Sequence, residues 1–128
     1  MAQVHRPLSP HVQIYGWHFT MAVSILNRIT GQGLAIGTLL FAWWLISLAA
    51  GPESFATVQA AMHNWFGVLI LIAYTAALFF HAASGIRHLV WDAARGLDLE
   101  TAKKSGAFVL VATGVLTVVF WLLVLIAA

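Results

Sequence analysis

The chain has 128 residues, of which 62% are hydrophobic and only 8% are charged, and its mean hydropathy is +0.92. This composition is typical of a membrane protein and excludes an ordinary soluble domain. Cysteine is absent, which excludes a disulfide framework and a thiolate-held iron–sulfur cluster. The pI near 9.5 comes from six lysine and arginine residues that form no basic patch, so a nucleic-acid partner is excluded as well.

The N-terminal segment is polar, and Pro7 and Pro10 prevent a continuous helix there. We expect residues 1–22 to form an arm on the membrane surface. An amphipathic stretch runs from Trp17 to Arg28, and Trp17 suits the headgroup region of a bilayer.

Three uncharged runs follow, and each is long enough to cross a hydrocarbon core of about 30 Å as a helix. These runs are residues 29–50, 65–86 and 105–128. Gly51 and Pro52 mark a sharp turn after the first run, and the linker to the second run has a helical pattern. The sequence therefore predicts one all-α membrane-anchor domain, residues 1–128, with three transmembrane helices.

Positive charge is distributed unevenly between the predicted loops. Arg6 and Arg28 precede the first run, and the other four basic residues lie in the second loop, residues 87–104. The first loop, residues 51–64, contains no lysine or arginine. The positive-inside rule therefore predicts a cytoplasmic N-terminus.

The stretch from His81 to His88 ends the second run and is a candidate site. Seven residues make about two helical turns, so both histidines lie on nearly one face, roughly 10 Å apart along the axis. Gly85 removes a side chain where a flat group could approach. A histidine at this depth needs a partner, and neutral imidazole is a good axial ligand for haem iron. The second ligand would come from elsewhere; a histidine that packs against a carbonyl is the alternative.

Polar residues around this stretch extend the candidate site. His88 could reach a haem propionate or a quinone oxygen, and Arg87 and Arg95 could neutralise propionates. Asp92 lies four residues after His88 and could relay protons or pair with Arg28. Interfacial positive charges, a solvated histidine and a solvated carboxylate are the simpler interpretations.

Ser24 and Arg28 form a second candidate site at the inner edge of the membrane. Four residues apart, they share a helix face. A hydroxyl and a permanently charged donor beside apolar surface suit a lipid-soluble carbonyl compound such as a quinone. An interfacial anchor with a packing serine is the alternative. His63 could in principle serve a second haem near the opposite face, but we favour an interfacial residue.

These motifs, in this order, resemble those of the cytochrome b subunits of succinate dehydrogenase, the larger membrane anchor of respiratory complex II. The resemblance covers nearly the whole chain and is to the alphaproteobacterial and mitochondrial type. It rests on Arg6-Pro7-Leu8-Ser9-Pro10-His11-x-Gln13-Ile14-Tyr15, on Ser24-Ile25-Leu26-x-Arg28-x-Thr30-Gly31, and on His81-x-x-x-Gly85-Ile86-Arg87-His88-x-x-x-Asp92.

The resemblance implies a role for each motif in cofactor binding. His81 would be an axial ligand of haem b, and a second, smaller anchor subunit would supply the other histidine. His88 and Arg87 would contact the haem propionates.

The same resemblance implies a ubiquinone site lined by Ser24 and Arg28, with Asp92 near Arg28. One position departs from the family pattern, because Asn27 stands where the family usually has histidine. Asparagine can donate and accept hydrogen bonds but does not titrate near neutral pH. A propionate or proton-transfer role at this position is therefore in doubt.

The implied function is a subunit of succinate:ubiquinone oxidoreductase, in the bacterial inner membrane, that does not itself oxidise succinate. It would pass electrons from an iron–sulfur subunit to ubiquinone, while FAD and the iron–sulfur clusters would belong to a flavoprotein and an iron–sulfur partner. The alternatives are the anchor of a quinol:fumarate reductase and a structural membrane subunit without a cofactor.

Overall fold

The computed structural model describes residues 14–127 and contains four helices in this range. They are α1 (Phe19–Ala50), α2 (Pro52–His63), α3 (Trp65–Asp92) and α4 (Leu99–Ala127). No β-strand occurs between residues 14 and 127. Three of the helices, α1, α3 and α4, are long and apolar enough to cross a membrane. The all-α fold with three such helices, predicted from the sequence, is therefore confirmed.

The first helix is longer than the uncharged run that predicted it. It begins at Phe19, ten residues before the run 29–50, and includes the amphipathic stretch up to Arg28. Its 32 residues extend over about 48 Å, well beyond a hydrocarbon core of about 30 Å. Of the predicted surface arm, residues 1–13 lie outside the described residues, and residues 19–22 form the first turn of α1.

Short turns join the first three helices. Gly51 ends α1 with a φ of 115°, a conformation that L side chains rarely adopt. Asn64 joins α2 to α3: its Oδ1 accepts hydrogen bonds from the N–H groups of Phe66 and Gly67, both at 2.9 Å. Its Nδ2 donates to the Ala61 carbonyl at 2.7 Å. This one side chain therefore caps α3 and holds the end of α2 against it.

The third helix packs against both other long helices, and a small apolar core lies where the three meet. The core consists of Val23, Phe80 and Val109, one residue from each long helix. Gly106 allows α4 to approach α1, because a Cβ atom there would lie 3.0 Å from the Phe19 ring. Most large apolar side chains lie instead on the outer surface of the helices. This distribution suits helices surrounded by lipid and by other membrane helices.

Close packing of α1 on α3 depends on Gly37, which is buried against Tyr74. A methyl group at Gly37 would overlap the Tyr74 ring. We expect Gly37→Ala to reduce the free energy of unfolding by about 1–3 kcal/mol, the usual cost of overpacking. The change would appear as a lower thermal midpoint of the purified protein in detergent.

Gly114→Ala is the matched control, because no atom lies within 4 Å of a Cβ built at Gly114. It places the same methyl group inside a long apolar helix without a clash. Equal thermal midpoints for the Gly37→Ala and Gly114→Ala proteins would contradict a close contact between α1 and α3 at Tyr74.

The start of α4 is stabilised by Asp98. Its Oδ1 accepts a hydrogen bond from the Thr101 N–H at 2.8 Å, and its backbone carbonyl accepts one from the Ala102 N–H at 2.9 Å. The hydrogen bond from the Thr101 backbone is the main cause that lowers the pKa of the Asp98 carboxyl below its ordinary value of 3.8. The charged carboxylate therefore acts as the N-cap of α4.

Because the pKa of Asp98 is lower in the folded state, its stabilising effect is fully present above the unfolded-state pKa and is lost as the pH falls through the folded-state pKa. We expect Asp98→Ala to make the Thr101 amide exchange with solvent several-fold faster at neutral pH. Asp98→Asn should keep the protection, since asparagine is also a good N-cap. Hydrogen exchange, corrected for intrinsic rates, measures both effects. Identical protection in the parent and Asp98→Ala proteins would contradict the cap.

Candidate functional site

His81 lies half-buried on α3 against one turn of α1. Its Nδ1 atom is 3.2 Å from the carbonyl oxygen of Asn27 and 3.5 Å from the Thr30 Oγ1. A carbonyl oxygen can only accept a hydrogen bond, so the proton of this bond is on Nδ1. In the neutral ring the lone pair is then on Nε2. No residue between 14 and 127 forms a hydrogen bond with Nε2, which leaves this atom available as a ligand.

The space that the His81 ring occupies is provided by Gly31. A Cβ atom at Gly31 would lie 3.0 Å from the ring Cε1. At Gly85, where the sequence predicts room for a flat external group, no atom of the described chain lies within 4 Å of a Cβ built on the backbone. Within this chain the close contact is therefore between α1 and the His81 ring, and the pair Thr30-Gly31 in the second sequence motif was its signal.

An apolar groove between α1 and α3 leads to His81. It has a volume of about 380 Å³, and its lining includes the small residues Gly33, Gly37, Ala73 and Ala77. Thr30, which is next to the His81 ring, lies at one end of the groove. One wall of a site for a flat, apolar group is thus present on the surface of α1 and α3, next to the Thr30 contact with His81.

His88 lies two turns after His81, on nearly the same face of α3, as the sequence spacing predicted. Its Nδ1 donates to the Ser84 carbonyl of its own helix, at 2.7 Å. The ring packs edge-on against Trp91, with 5.2 Å between the ring centroids. The Nε2 atom of His88 is therefore the one that can meet an external acceptor or donor.

Arg87 faces α4 rather than the His81 face. Its Nε donates to the Ser105 Oγ and its Nη2 to the Ala102 carbonyl, both at 2.9 Å. The guanidinium carbon lies 3.8 Å from the centre of the Trp91 ring, a distance at which a cation–π interaction is favourable. The side chain is buried, and its Nη1 has no partner among residues 14–127. Arg87 thus connects α3 to α4, and its Nη1 remains without a hydrogen-bond partner among the described residues.

Three further buried polar atoms lack partners within the described range. They are the Oγ of Ser84, the Oδ1 of Asn27 and, near the other end of α4, the Nε1 of Trp121. Ser84 is fully buried at 0% exposure, in the stripe of α3 that faces the other helices. Buried polar atoms usually have a partner, and of these three residues Ser84 and Asn27 lie next to His81 or to its contact on α1.

The proposed quinone residues lie at the same end of the bundle. Ser24 is half-buried, and Arg28 is exposed on α1. Gly31 lies against His81 and Gly37 against Tyr74, so α1 and α3 pack antiparallel. This register places Arg28 level with about residue 84 and Ser24 level with about residue 88.

Asp92, at the end of α3, is exposed and does not pair with Arg28 in this chain. The one ion pair between residues 14 and 127 joins Lys104 to Glu100, at 2.7 Å. In the register of α1 and α3, Asp92 lies about two turns beyond the level of Arg28, or roughly 12 Å along the axis. Contact between them would require the long Arg28 side chain to extend toward the start of α1.

The remaining titratable residues do not form a metal site on their own. Within the described part of the chain, no three His, Asp or Glu side chains come together. His63 is exposed at the opposite end of the bundle, with its Nδ1 bonded to the Gln59 carbonyl at 2.8 Å. This position agrees with the interfacial interpretation. Arg95 is exposed in the loop before α4.

Comparison with known proteins gives consistent matches over almost the full length. A family model described as succinate dehydrogenase/fumarate reductase transmembrane subunit matches residues 2–120. The succinate dehydrogenase cytochrome b556 subunit of Paracoccus denitrificans is 40% identical over 114 residues, which are 89% of this chain and 88% of that protein.

Two further relatives support the same family. The succinate dehydrogenase cytochrome b556 subunit of Rickettsia felis is 33% identical over 116 residues, 91% of this chain and 90% of that protein. The mitochondrial cytochrome b560 subunit of Bos taurus is 38% identical over 115 residues, 86% of this chain and 66% of the bovine protein. On the strength of these matches and its three apolar helices, the chain belongs to the family of succinate dehydrogenase/fumarate reductase transmembrane subunits.

Proposed function

We propose that this chain is the haem b- and quinone-binding membrane anchor of a succinate:ubiquinone oxidoreductase. It passes electrons from the iron–sulfur subunit to ubiquinone in the bacterial inner membrane, with its N-terminus in the cytoplasm. The observation that carries the proposal is His81, whose Nδ1 is bonded to α1 while its Nε2 is free. The naming of the relatives as cytochrome b subunits of succinate dehydrogenase supports the same function.

The residues around His81 fit haem b. The free Nε2 of His81 would hold the haem iron as a ligand, and the apolar groove between α1 and α3 would provide a wall for the macrocycle. Haem, when bound, provides a one-electron redox centre inside the membrane. The described residues contain no second histidine at the level of His81, so a second small anchor subunit supplies the other ligand.

His88 and Arg87 serve the propionate edge of the haem in different ways. The Nε2 of His88 is free to donate to a propionate once the imidazole is doubly protonated. Arg87 offers one nitrogen, Nη1, because its other two nitrogens, Nε and Nη2, each donate a hydrogen bond to α4. We therefore assign the direct contact first to His88 and the supporting positive charge to Arg87.

Ser24 and Arg28 bind the ubiquinone head group. Arg28 remains charged and donates hydrogen bonds to a carbonyl oxygen, and the Ser24 hydroxyl either donates or accepts. Both lie near the end of α3 that carries His88, so quinone and haem share one end of the bundle. Asp92 is the proposed proton relay or ion-pair partner of Arg28, in the complete complex rather than within this chain.

The other reactions of the complex belong to partner subunits. The chain contains no cysteine for an iron–sulfur cluster, so the clusters are placed in an iron–sulfur subunit and FAD in a flavoprotein subunit. The exposed apolar side chains of α1, α3 and α4 contact membrane lipid and the second anchor subunit.

The haem assignment is tested with His81→Ala. Without the Nε2 ligand, we expect the purified complex to lose the b-type band of the reduced-minus-oxidised visible spectrum. His63→Ala is the matched control, because His63 is exposed at the other end of the bundle and its removal should leave the band intact. A band that survives His81→Ala unchanged would refute the ligand assignment.

The quinone assignment is tested with Arg28→Leu. The lost hydrogen bond from a charged donor is worth about 1.5–3 kcal/mol, so quinone reduction should fall about 10- to 100-fold. Succinate oxidation with an artificial electron acceptor should persist, since the flavoprotein is unaffected. Lys103→Gln, which removes an exposed positive charge near the same end, is the control and should leave both activities unchanged. Equal loss of both activities in Arg28→Leu would indicate failed assembly and contradict a local quinone role.

A further inference from the structure

We propose that the Asn27–Gly31 turn of α1, called the cradle below, sets the orientation of the His81 ring. The same turn sets the basicity of the ring as a ligand through Nε2. In this cradle Gly31 and Thr30 are positioning residues, which act through His81. The inference rests on the proposed function, because it takes His81 as a ligand of haem iron.

The first part of the cradle is the space left by Gly31. A Cβ atom there would lie 3.0 Å from Cε1 and 3.5 Å from Nδ1 of the His81 ring. The shorter distance is tighter than ordinary van der Waals contact, so an added methyl group would push the ring away from α1 by a few tenths of an ångström. This movement would lengthen the bond from Nδ1 to the Asn27 carbonyl, which is already 3.2 Å.

The second part of the cradle is the hydroxyl group of Thr30. Its Oγ1 lies 2.8 Å from the Leu26 carbonyl and 3.0 Å from the Asn27 carbonyl. The single hydroxyl proton is donated to these carbonyls, so the lone pairs of Oγ1 face the Nδ1–H of His81 at 3.5 Å. The Nδ1–H group therefore has two acceptors, and both belong to α1.

These contacts matter for the redox property of a bound haem. An imidazole whose Nδ1–H is held by an acceptor is a more basic ligand through Nε2. A more basic axial ligand favours the oxidised iron and lowers the midpoint potential. Weakening either part of the cradle should consequently raise the midpoint potential of the haem.

The experiment is a redox titration of the purified complex, followed by the haem absorbance. Gly31→Ala and Thr30→Val should both raise the midpoint potential relative to the parent, the first by displacing the ring and the second by removing one acceptor. Thr30→Ser keeps the hydroxyl group and should restore the parent value. The thermal midpoint of each complex is measured in parallel, because a purely structural role would change stability without moving the potential.

Two matched controls separate the cradle from general effects of substitution. Gly114→Ala adds the same methyl group inside a long apolar helix where no atom lies within 4 Å. Thr38→Val removes a hydroxyl of α1 that is exposed and bonded to the Ala35 carbonyl at 2.6 Å. Both controls should titrate at the parent potential.

Each outcome bears on one proposal. If His81→Ala keeps the haem band, the ligand assignment fails, and the cradle fails with it. If His81→Ala loses the band but Gly31→Ala and Thr30→Val titrate at the parent potential, the cradle is overturned and the ligand assignment stands. The cradle is also overturned if the midpoint potential of Gly31→Ala shifts only as much as that of Gly114→Ala. Loss of haem in Gly31→Ala but not in Gly114→Ala supports the cradle, and Thr30→Val must then show the raised potential.

Discussion

The hydrogen bond from the His81 Nδ1–H to the Asn27 carbonyl determines how the site is arranged. Inside a bilayer no water is available to satisfy a polar group, so an imidazole between membrane helices needs a partner from the protein. The Asn27 carbonyl provides this partner while it remains part of α1. The same contact fixes the tautomer of His81 and the register of α1 against α3. Through that register it also places Arg28 near the level of Ser84 and Ser24 near the level of His88.

The buried polar atoms of the described residues suggest a subunit that is complete only in an assembly. Ser84 Oγ, Asn27 Oδ1, Arg87 Nη1 and Trp121 Nε1 are all buried without a partner. The first three belong to the start of α1 and the end of α3, where the candidate site residues also lie, and the fourth lies near the end of α4. Each such atom costs free energy when it is unpaired.

The sequence predicted the features that depend on local pattern. The three uncharged runs predicted the three long helices. The spacing of seven residues predicted that His81 and His88 lie on one face of a helix. The start of α1 at Phe19 was not predicted, because hydropathy marks the hydrocarbon core and not the end of a helix. The amphipathic stretch and the uncharged run are therefore two separate features of the sequence, although the residues from Phe19 to Ala50 form one helix.

Contacts between distant parts of the chain could not be predicted from spacing. His81 meets Asn27 across 54 positions of sequence, and Arg87 meets Ser105 across 18 positions. The partners depend on how the helices are rotated and aligned, which no local pattern specifies. For this reason the contact of Gly31 with the His81 ring could not be predicted from the spacing of the motifs. The direction of Arg87 toward α4 could not be foreseen either.

The connection from Arg87 to α4 has a consequence for the order in which the chain is made. The acceptors on Ala102 and Ser105 are synthesised after Arg87, so the guanidinium has no partner on α4 while α3 is the last helix to have left the ribosome. An unpaired charge resists transfer into hydrocarbon and holds the end of α3 at the surface. Once α4 has entered the membrane, its first turns accept the hydrogen bonds of Arg87, and the charge becomes enclosed. We therefore expect the pairing of α3 with α4 through Arg87 to form only after α4 has been synthesised.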